Sequence, residues 1–170
     1  MGKLYDEITP QLADWIRAQR LFFVGTSPQN GGHVNVSPKG PIDTLRIVDG
    51  STVEYDDFVG SGAETIAHLR ENGRICVMLC SFEGSPKIVR LHGRGEVIPA
   101  ADPGDGTRAV IRVHVERIAD SCGYGVPEMA YVGERPQMGR WRERKGADGI
   151  REYVREKNAV SIDGLVALDA

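Results

Sequence analysis

Cysteine is scarce in this chain of 170 residues. The three cysteines, Cys76, Cys80 and Cys122, form no C-x-x-C pair, and the four histidines are scattered along the chain. A zinc site would need several such ligands at short spacing, so we expect no metal site. An odd cysteine count without a secretion signal indicates reduced thiols and predicts a cytoplasmic protein.

Long apolar runs and a basic excess are also missing. No apolar stretch approaches the ~20 residues of a membrane span, and residues 1–7 lack the apolar segment of a signal peptide. The formal net charge is −3, whereas nucleic-acid binders usually carry a basic excess. The chain also lacks a P-loop, a Rossmann fingerprint and a G-x-S-x-G nucleophile elbow. We therefore expect no nucleic-acid partner, no membrane partner and no catalytic triad.

The composition, with 41% hydrophobic and 26% charged residues, is typical of one soluble domain. We treat residues 1–170 as a single domain. It comprises an N-terminal helix within 1–20, a barrel core at 21–119 and a C-terminal cover segment at 120–170.

Most of the core region alternates apolar and polar residues with the period of two that predicts strands. The predicted strands are the apolar run 21–26 and the alternating segments 33–38, 44–48, 52–55, 74–81, 87–98 and 108–118. Gly93 and Gly95 interrupt one of them, where a bulge or a bend would let the sheet curl into a barrel. Helices are predicted at 10–20, at 61–72 and at 149–157. About six or seven strands with two or three helices predict a mainly β (α+β) fold, a barrel or a strongly curled sheet.

The stretch from His33 to Gly40 is the first candidate site. Val34 and Val36 alternate with Asn35 and Ser37, and Lys39 follows the break at Pro38. This strand end can direct an amide, a hydroxyl and an ammonium at one anion. The alternative is a solvated lysine in an ordinary turn.

The glycine-bearing segment 60–65 is the second candidate. It leads into a helix whose exposed amides and dipole favour an anion such as a phosphate. Alternatively, Ser61 is the N-cap of that helix and forms a capping box with Glu64. If the barrel brings Lys39 and this helix start together, they form one phosphate-sized site.

These two segments, followed by Glu71–Arg74 and Arg90–Gly95, resemble in order and spacing the pyridoxamine 5'-phosphate oxidase-like family of FMN-binding proteins. The resemblance covers roughly residues 8 to 135, and Ser121–Pro127 resembles a bacterial branch without a settled function. It implies a six-stranded split β-barrel with flanking short helices. It also implies a homodimer with one FMN at each of two sites in the dimer interface.

The resemblance assigns cofactor contacts residue by residue. The residues that match are Asn35, Ser37, Pro38, Lys39, Tyr55, Ser61, Gly62, Thr65 and Arg90. Where the oxidase carries an Arg-Lys pair for the phosphate, this chain has Glu64 and Thr65. The basic C-terminal substrate motif of the oxidase also has no clear counterpart in 150–170. We therefore do not expect true pyridoxamine 5'-phosphate oxidation.

The leading functional prediction is an FMN-dependent oxidoreductase that acts on a small molecule, with NAD(P)H as a candidate electron donor. Lys39 would either anchor the phosphate or stabilise negative charge near N1 of the reduced ring. Tyr124 and His92 are candidates for substrate contact, or else barrel or interface side chains, and no catalytic residue is assigned. Two alternatives remain: a reductase that uses the deazaflavin F420 on the same fold, and a flavin- or haem-binding protein without turnover.

Overall fold

The computed structural model describes residues 2–168, and one antiparallel sheet dominates it. Its strands are β1 (Leu4–Tyr5), β2 (Phe22–Thr26), β3 (Asn35–Lys39), β4 (Leu45–Asp49), β5 (Thr52–Phe58), β6 (Arg74–Cys80), β7 (Ile88–Pro99) and β8 (Thr107–Ser121). Their order is β3-β2-β6-β7-β8-β5-β4, and β1 pairs with β8. The predicted mainly β, split-barrel fold is confirmed.

The sheet of the described residues has eight strands rather than six. Every segment predicted from the alternating pattern forms a strand, including the hairpins β2–β3 and β4–β5. The additional strand is β1, whose two residues are too few to show a period of two. Because β1 pairs with β8, the N-terminal segment contributes to the sheet as well as a helix.

Three helices flank the sheet: α1 (Pro10–Arg17), α2 (Glu64–Asn72) and α3 (Gln137–Lys157). The Thr9 hydroxyl caps α1 by accepting a hydrogen bond from the amide of Leu12 at 3.3 Å. Gly73, with φ of 71°, ends α2 in the left-handed conformation that favours glycine. The third helix begins at Gln137, well before the predicted start at Gly149. The prediction missed the first half of this helix because that half is basic and carries no apolar period.

The core lies on the concave side of the sheet. Alternate residues of β2, β6, β7 and β8 are buried there, and α2 inserts Ile66 between them. The Tyr55 ring packs edge-on against Phe22, with ring centroids 5.3 Å apart. Aromatic pairs of this geometry stabilise a core beyond the area that they bury.

The predicted interruption at Gly93 is a β-bulge. The register between β7 and β8 shifts between His92 and Gly93, which bends the long strand. A Cβ atom at Gly93 would overlap the carbonyl oxygen of His114. Gly95 lies against α2 instead: a Cβ atom there would be 2.7 Å from the Leu69 side chain of that helix.

The substitution Gly93→Ala should lower the free energy of unfolding by roughly 1–3 kcal/mol, because the added methyl group meets rigid backbone. Urea unfolding followed by circular dichroism measures the change. Gly125→Ala is the control, since a Cβ there has no atom within 4 Å. Equal stability of the two variants would contradict the close approach at Gly93.

Candidate functional site

The polar residues of β3 share one face of the strand. Asn35, Ser37 and Lys39 alternate with the exposed residues Val36 and Pro38. The contacts of Asn35 and Lys39 reach α2 and β5, so these three side chains point to the inside of the curled sheet. The sequence pattern predicted this arrangement, whereas Pro38 faces outward.

A hydrogen-bond network joins β3 to the first turn of α2. The Asn35 amide donates to the hydroxyls of Thr26 at 3.1 Å and Thr65 at 3.0 Å. The Ser37 hydroxyl donates to the side-chain oxygen Oδ1 of Asn35 at 2.9 Å. Three of the predicted site residues, Asn35, Ser37 and Thr65, are thus in one network.

His68 extends this network into the core. Its Nδ1 lies 3.0 Å from the Thr26 hydroxyl, and its ring is fully buried. Burial lowers the pKa of His68, so the ring is neutral near pH 7. Its Nε2 has no hydrogen-bond partner within residues 2–168. Sequence reasoning missed Thr26 and His68, because both lie in segments that read only as core elements.

An ionic cluster lies at the other end of β3. The Lys39 ammonium is 2.5 Å from one carboxylate oxygen of Asp57, and the Arg108 guanidinium donates to the other at 2.8 Å. Arg108 also donates to the carbonyl of Gly62 at 2.6 Å. The Asp57 side chain is fully buried, whereas Lys39 retains 18% of its exposure. The cluster therefore links β3, β5, β8 and the loop before α2.

The carboxyl of Asp57 stays ionised in this cluster. Burial raises the pKa of Asp57, but Lys39 and Arg108 outweigh burial and hold this pKa below its ordinary value. With two cations and one anion, the cluster keeps a net positive charge. The sequence showed no sign of Asp57 or Arg108, since neither belongs to a recognisable motif.

The start of α2 differs from the predicted capping box. Ala63 is the N-cap residue, and none of the described side chains caps the helix. The Glu64 carboxylate accepts a hydrogen bond from the amide of Ile162 at 3.3 Å and lies against Gly62. The interpretation of Ser61 as the N-cap is therefore wrong, because the helix begins after it. The negative charge of Glu64 disfavours the binding of another anion at this end of the helix.

Arg90 lies apart from these residues, whereas Tyr55 lies on the same buried face of β5 as Asp57. Tyr55 is fully buried, its hydroxyl has no partner in the described part of the chain, and burial raises its pKa well above the usual value. Arg90 lies between the buried residues Val89 and Leu91, so it points to the outer face of the sheet. There it donates to the Ser121 hydroxyl at 3.2 Å. Within one chain, Arg90 therefore does not lie close to Lys39.

Residues 2–168 contain no group of three or more His, Cys, Asp or Glu side chains that could hold a metal ion. None of the described helices is both long and apolar enough to cross a membrane.

A curled antiparallel sheet with a polar inner edge beside a helix start defines a split-barrel protein. Residues 8–122 match the family model described as pyridoxamine 5'-phosphate oxidase. The pyridoxamine 5'-phosphate oxidase family protein ustO of Aspergillus flavus is 39% identical over an alignment of 195 residues. The alignment covers 99% of this chain and 78% of that protein. The chain belongs to the pyridoxamine 5'-phosphate oxidase family.

Solved structures share the fold. HupZ of Group A Streptococcus has a TM-score of 0.55 and 23% identity, over 72% of this chain and 99% of that chain. The conserved hypothetical protein Rv2991 of Mycobacterium tuberculosis has a TM-score of 0.51 and 14% identity, over 78% of this chain and 98% of that chain. The residues of α3 lie beyond the segment that matches the family model.

The substitution Asp57→Asn should destabilise the fold by roughly 3–5 kcal/mol at pH 7, because it leaves two cations without their buried anion. The folded-state pKa of Asp57 is depressed, so its contribution is present above the ordinary value of 3.8 and is lost as the pH falls through the folded-state value. Urea unfolding at pH 7 and at acidic pH measures both effects.

The difference in stability between wild type and Asp57→Asn should therefore shrink at acidic pH. Asp14→Asn is the control, because the Asp14–Arg17 pair is exposed and such pairs contribute little. A constant difference across the pH range would contradict an ionised Asp57.

Proposed function

We propose that this protein is an FMN-dependent oxidoreductase whose flavin lies between the inner edge of β3 and the start of α2. Its substrate would be a small molecule other than pyridoxamine 5'-phosphate. The observation that carries the proposal is the net positive cluster of Lys39, Asp57 and Arg108 at one end of β3, on the same face of the strand as Ser37. Family membership supports a flavin, which supplies hydride transfer when it is bound.

The donor set fits one phosphate or one developing negative charge. An ammonium has three N–H donors, and the contact with Asp57 requires only one of them. Asp57 thereby orients Lys39, and the network through Asn35 orients Ser37. Glu64 at the start of α2 opposes a phosphate dianion, so we expect weaker FMN binding than an Arg-Lys pair would provide.

We also propose that the working unit is a homodimer. Pro38, Phe23, Met78 and Arg90 are successive cross-strand partners and share the outer face of the sheet. The side chain of Val36, 67% exposed, lies on the same face of β3. A second copy packed on this face would bring its Arg90 toward the β3 edge, which supports a flavin site shared between two chains.

A flavin- or haem-binding protein without turnover is the second candidate. Two features favour it: Lys39 is paired with Asp57, and the first turn of α2 carries the acidic Glu64. Both features reduce the positive charge available to a phosphate. An F420-dependent reductase is a further alternative on the same fold. The spectrum of the purified protein separates these functions, since only oxidised flavin bands that NAD(P)H bleaches support the leading proposal.

Lys39→Ala should weaken FMN binding about tenfold or more, because it removes a charge-assisted hydrogen bond of roughly 1.5–3 kcal/mol. FMN fluorescence titration measures the affinity. Lys157→Ala, an exposed change on α3, is the control, and Lys39→Arg should retain most of the binding. A folded Lys39→Ala variant with unchanged affinity would place the flavin elsewhere. Wild type that binds no FMN would overturn the proposed function.

Val36→Asp should convert a dimer to monomers, because it places a charge in an apolar interface. Light scattering after size-exclusion chromatography measures the mass, and flavin affinity should fall with it. Val48→Asp is the control, since Val48 is also exposed, at 55%, but lies on β4 at the other end of the sheet. A monomeric wild type would refute the shared site.

A further inference from the structure

A cleft of about 260 Å³ lies between α3 and the loop before α2. Met138, Trp141 and Tyr153 line it from the helix, and Gly60 and Ser61 line it from the loop. The helix side lies beyond the residues that match the family model. The proposed flavin contacts do not explain this aromatic lining.

Gly146 creates the aromatic corner of the cleft. Trp141 and Tyr153 are twelve positions apart, which is about 18 Å along a straight helix. Their ring centroids are 5.2 Å apart with an interplanar angle of 76°, so the two halves of α3 fold back on each other. The turn occurs at Gly146, with φ of 64° and ψ of 170°, a conformation that favours glycine.

The lining of the cleft carries no charge, although its helix is strongly basic. The residues that line the cleft are all uncharged, and Gln137 and Ser61 supply its polar groups. The nearby guanidinium of Arg142 lies over the Phe58 ring at 4.3 Å and donates to the carbonyl of Gly106 at 3.4 Å. The Lys145 ammonium lies 5.6 Å from the Tyr153 ring centroid but is not among the lining residues. An ionised ligand would lose water here and meet no charged side chain in the lining, which is costly.

The loop side of the cleft is held in place by the end of α3. The amide of the fully buried Asn158 donates to the carbonyl of Gly60 at 2.9 Å. The cleft is therefore built before any ligand arrives, as ligand pockets usually are.

We propose that this cleft binds the planar ring of a neutral aromatic molecule. A cavity of about 150 Å³ accommodates benzene, so this one has room for one or two fused rings. Tryptophan and tyrosine stack edge-on against aromatic rings, and methionine sulfur contacts ring edges. Ser61 and Gln137 would bond to polar substituents of the ring.

The role of this ligand rests on the proposed function. Ser61 belongs both to the cleft and to the segment predicted to contact the flavin. A ring held here would lie next to the cofactor, so the proposal assigns neutral aromatic compounds as the substrate class.

The two tryptophans make a direct test possible without any flavin. The indole N–H signals of Trp15 and Trp141 in a ¹H–¹⁵N spectrum are assigned with Trp15→Phe and Trp141→Phe variants. 4-Fluoroanisole is the neutral probe, and 4-fluorobenzoate is the charged control of similar size. We expect a saturable shift of the Trp141 signal with 4-fluoroanisole, at least tenfold weaker binding of 4-fluorobenzoate, and no saturable shift of Trp15.

Variants of α3 complete the test. Gly146→Ala should weaken binding of 4-fluoroanisole tenfold or more, because it strains the turn that brings the two rings together. Arg144→Ala, on the same helix but outside the cleft, should leave it unchanged. No saturable Trp141 shift in the wild type, or equal affinity for both probes, overturns the cleft proposal whether or not FMN binds. If the probe binds to a protein that does not bind FMN, the cleft proposal stands and only the proposed flavin reaction is overturned.

Discussion

The buried carboxylate of Asp57 joins the two ends of a sheet that backbone hydrogen bonds leave open. In the strand order, β3 is at one end and β5 is next to the other, and no ladder pairs them. Lys39 of β3 and Arg108 of β8 both reach Asp57 of β5, so three ionised groups bridge this gap. Because a buried charge without partners is costly, each of these groups requires the others.

The same cluster decides what the inner edge of β3 can bind. Lys39 is oriented, but part of its charge is neutralised, and Arg108 also holds the carbonyl of Gly62 in the loop before α2. At the other end of the strand, Asn35 connects Ser37 to α2 through Thr65. The polar groups of the site are therefore rigidly placed, and the acidic Glu64 moderates their attraction for an anion. For the flavin site that we propose, these constraints favour a weakly held phosphate.

The α3 helix lies beyond the residues that match the family model and lines a cleft with the loop before α2. Its break at Gly146 folds an aromatic pair into a corner next to Ser61. The barrel that matches the family and the helix beyond it thus meet at one loop, residues 59–63. In the functions that we propose, the barrel binds the cofactor and the helix selects the ligand.

The sequence by itself determined every strand except β1, the two hairpins, the interruption at Gly93 and the polar face of β3, because these depend on neighbours along the chain. Alternation places Asn35, Ser37 and Lys39 on one side of a strand whatever surrounds it. Only the tertiary structure decided that Asp57 neutralises and orients Lys39 and is shared with Arg108, since Asp57 and Arg108 are 51 positions apart and belong to no motif. It also decided that Tyr55 is buried, that Arg90 faces outward and that Ser61 opens to a cleft instead of capping a helix. The partner of a buried charge or hydroxyl depends on how the sheet curls and how loops cross it, and no local pattern records that geometry.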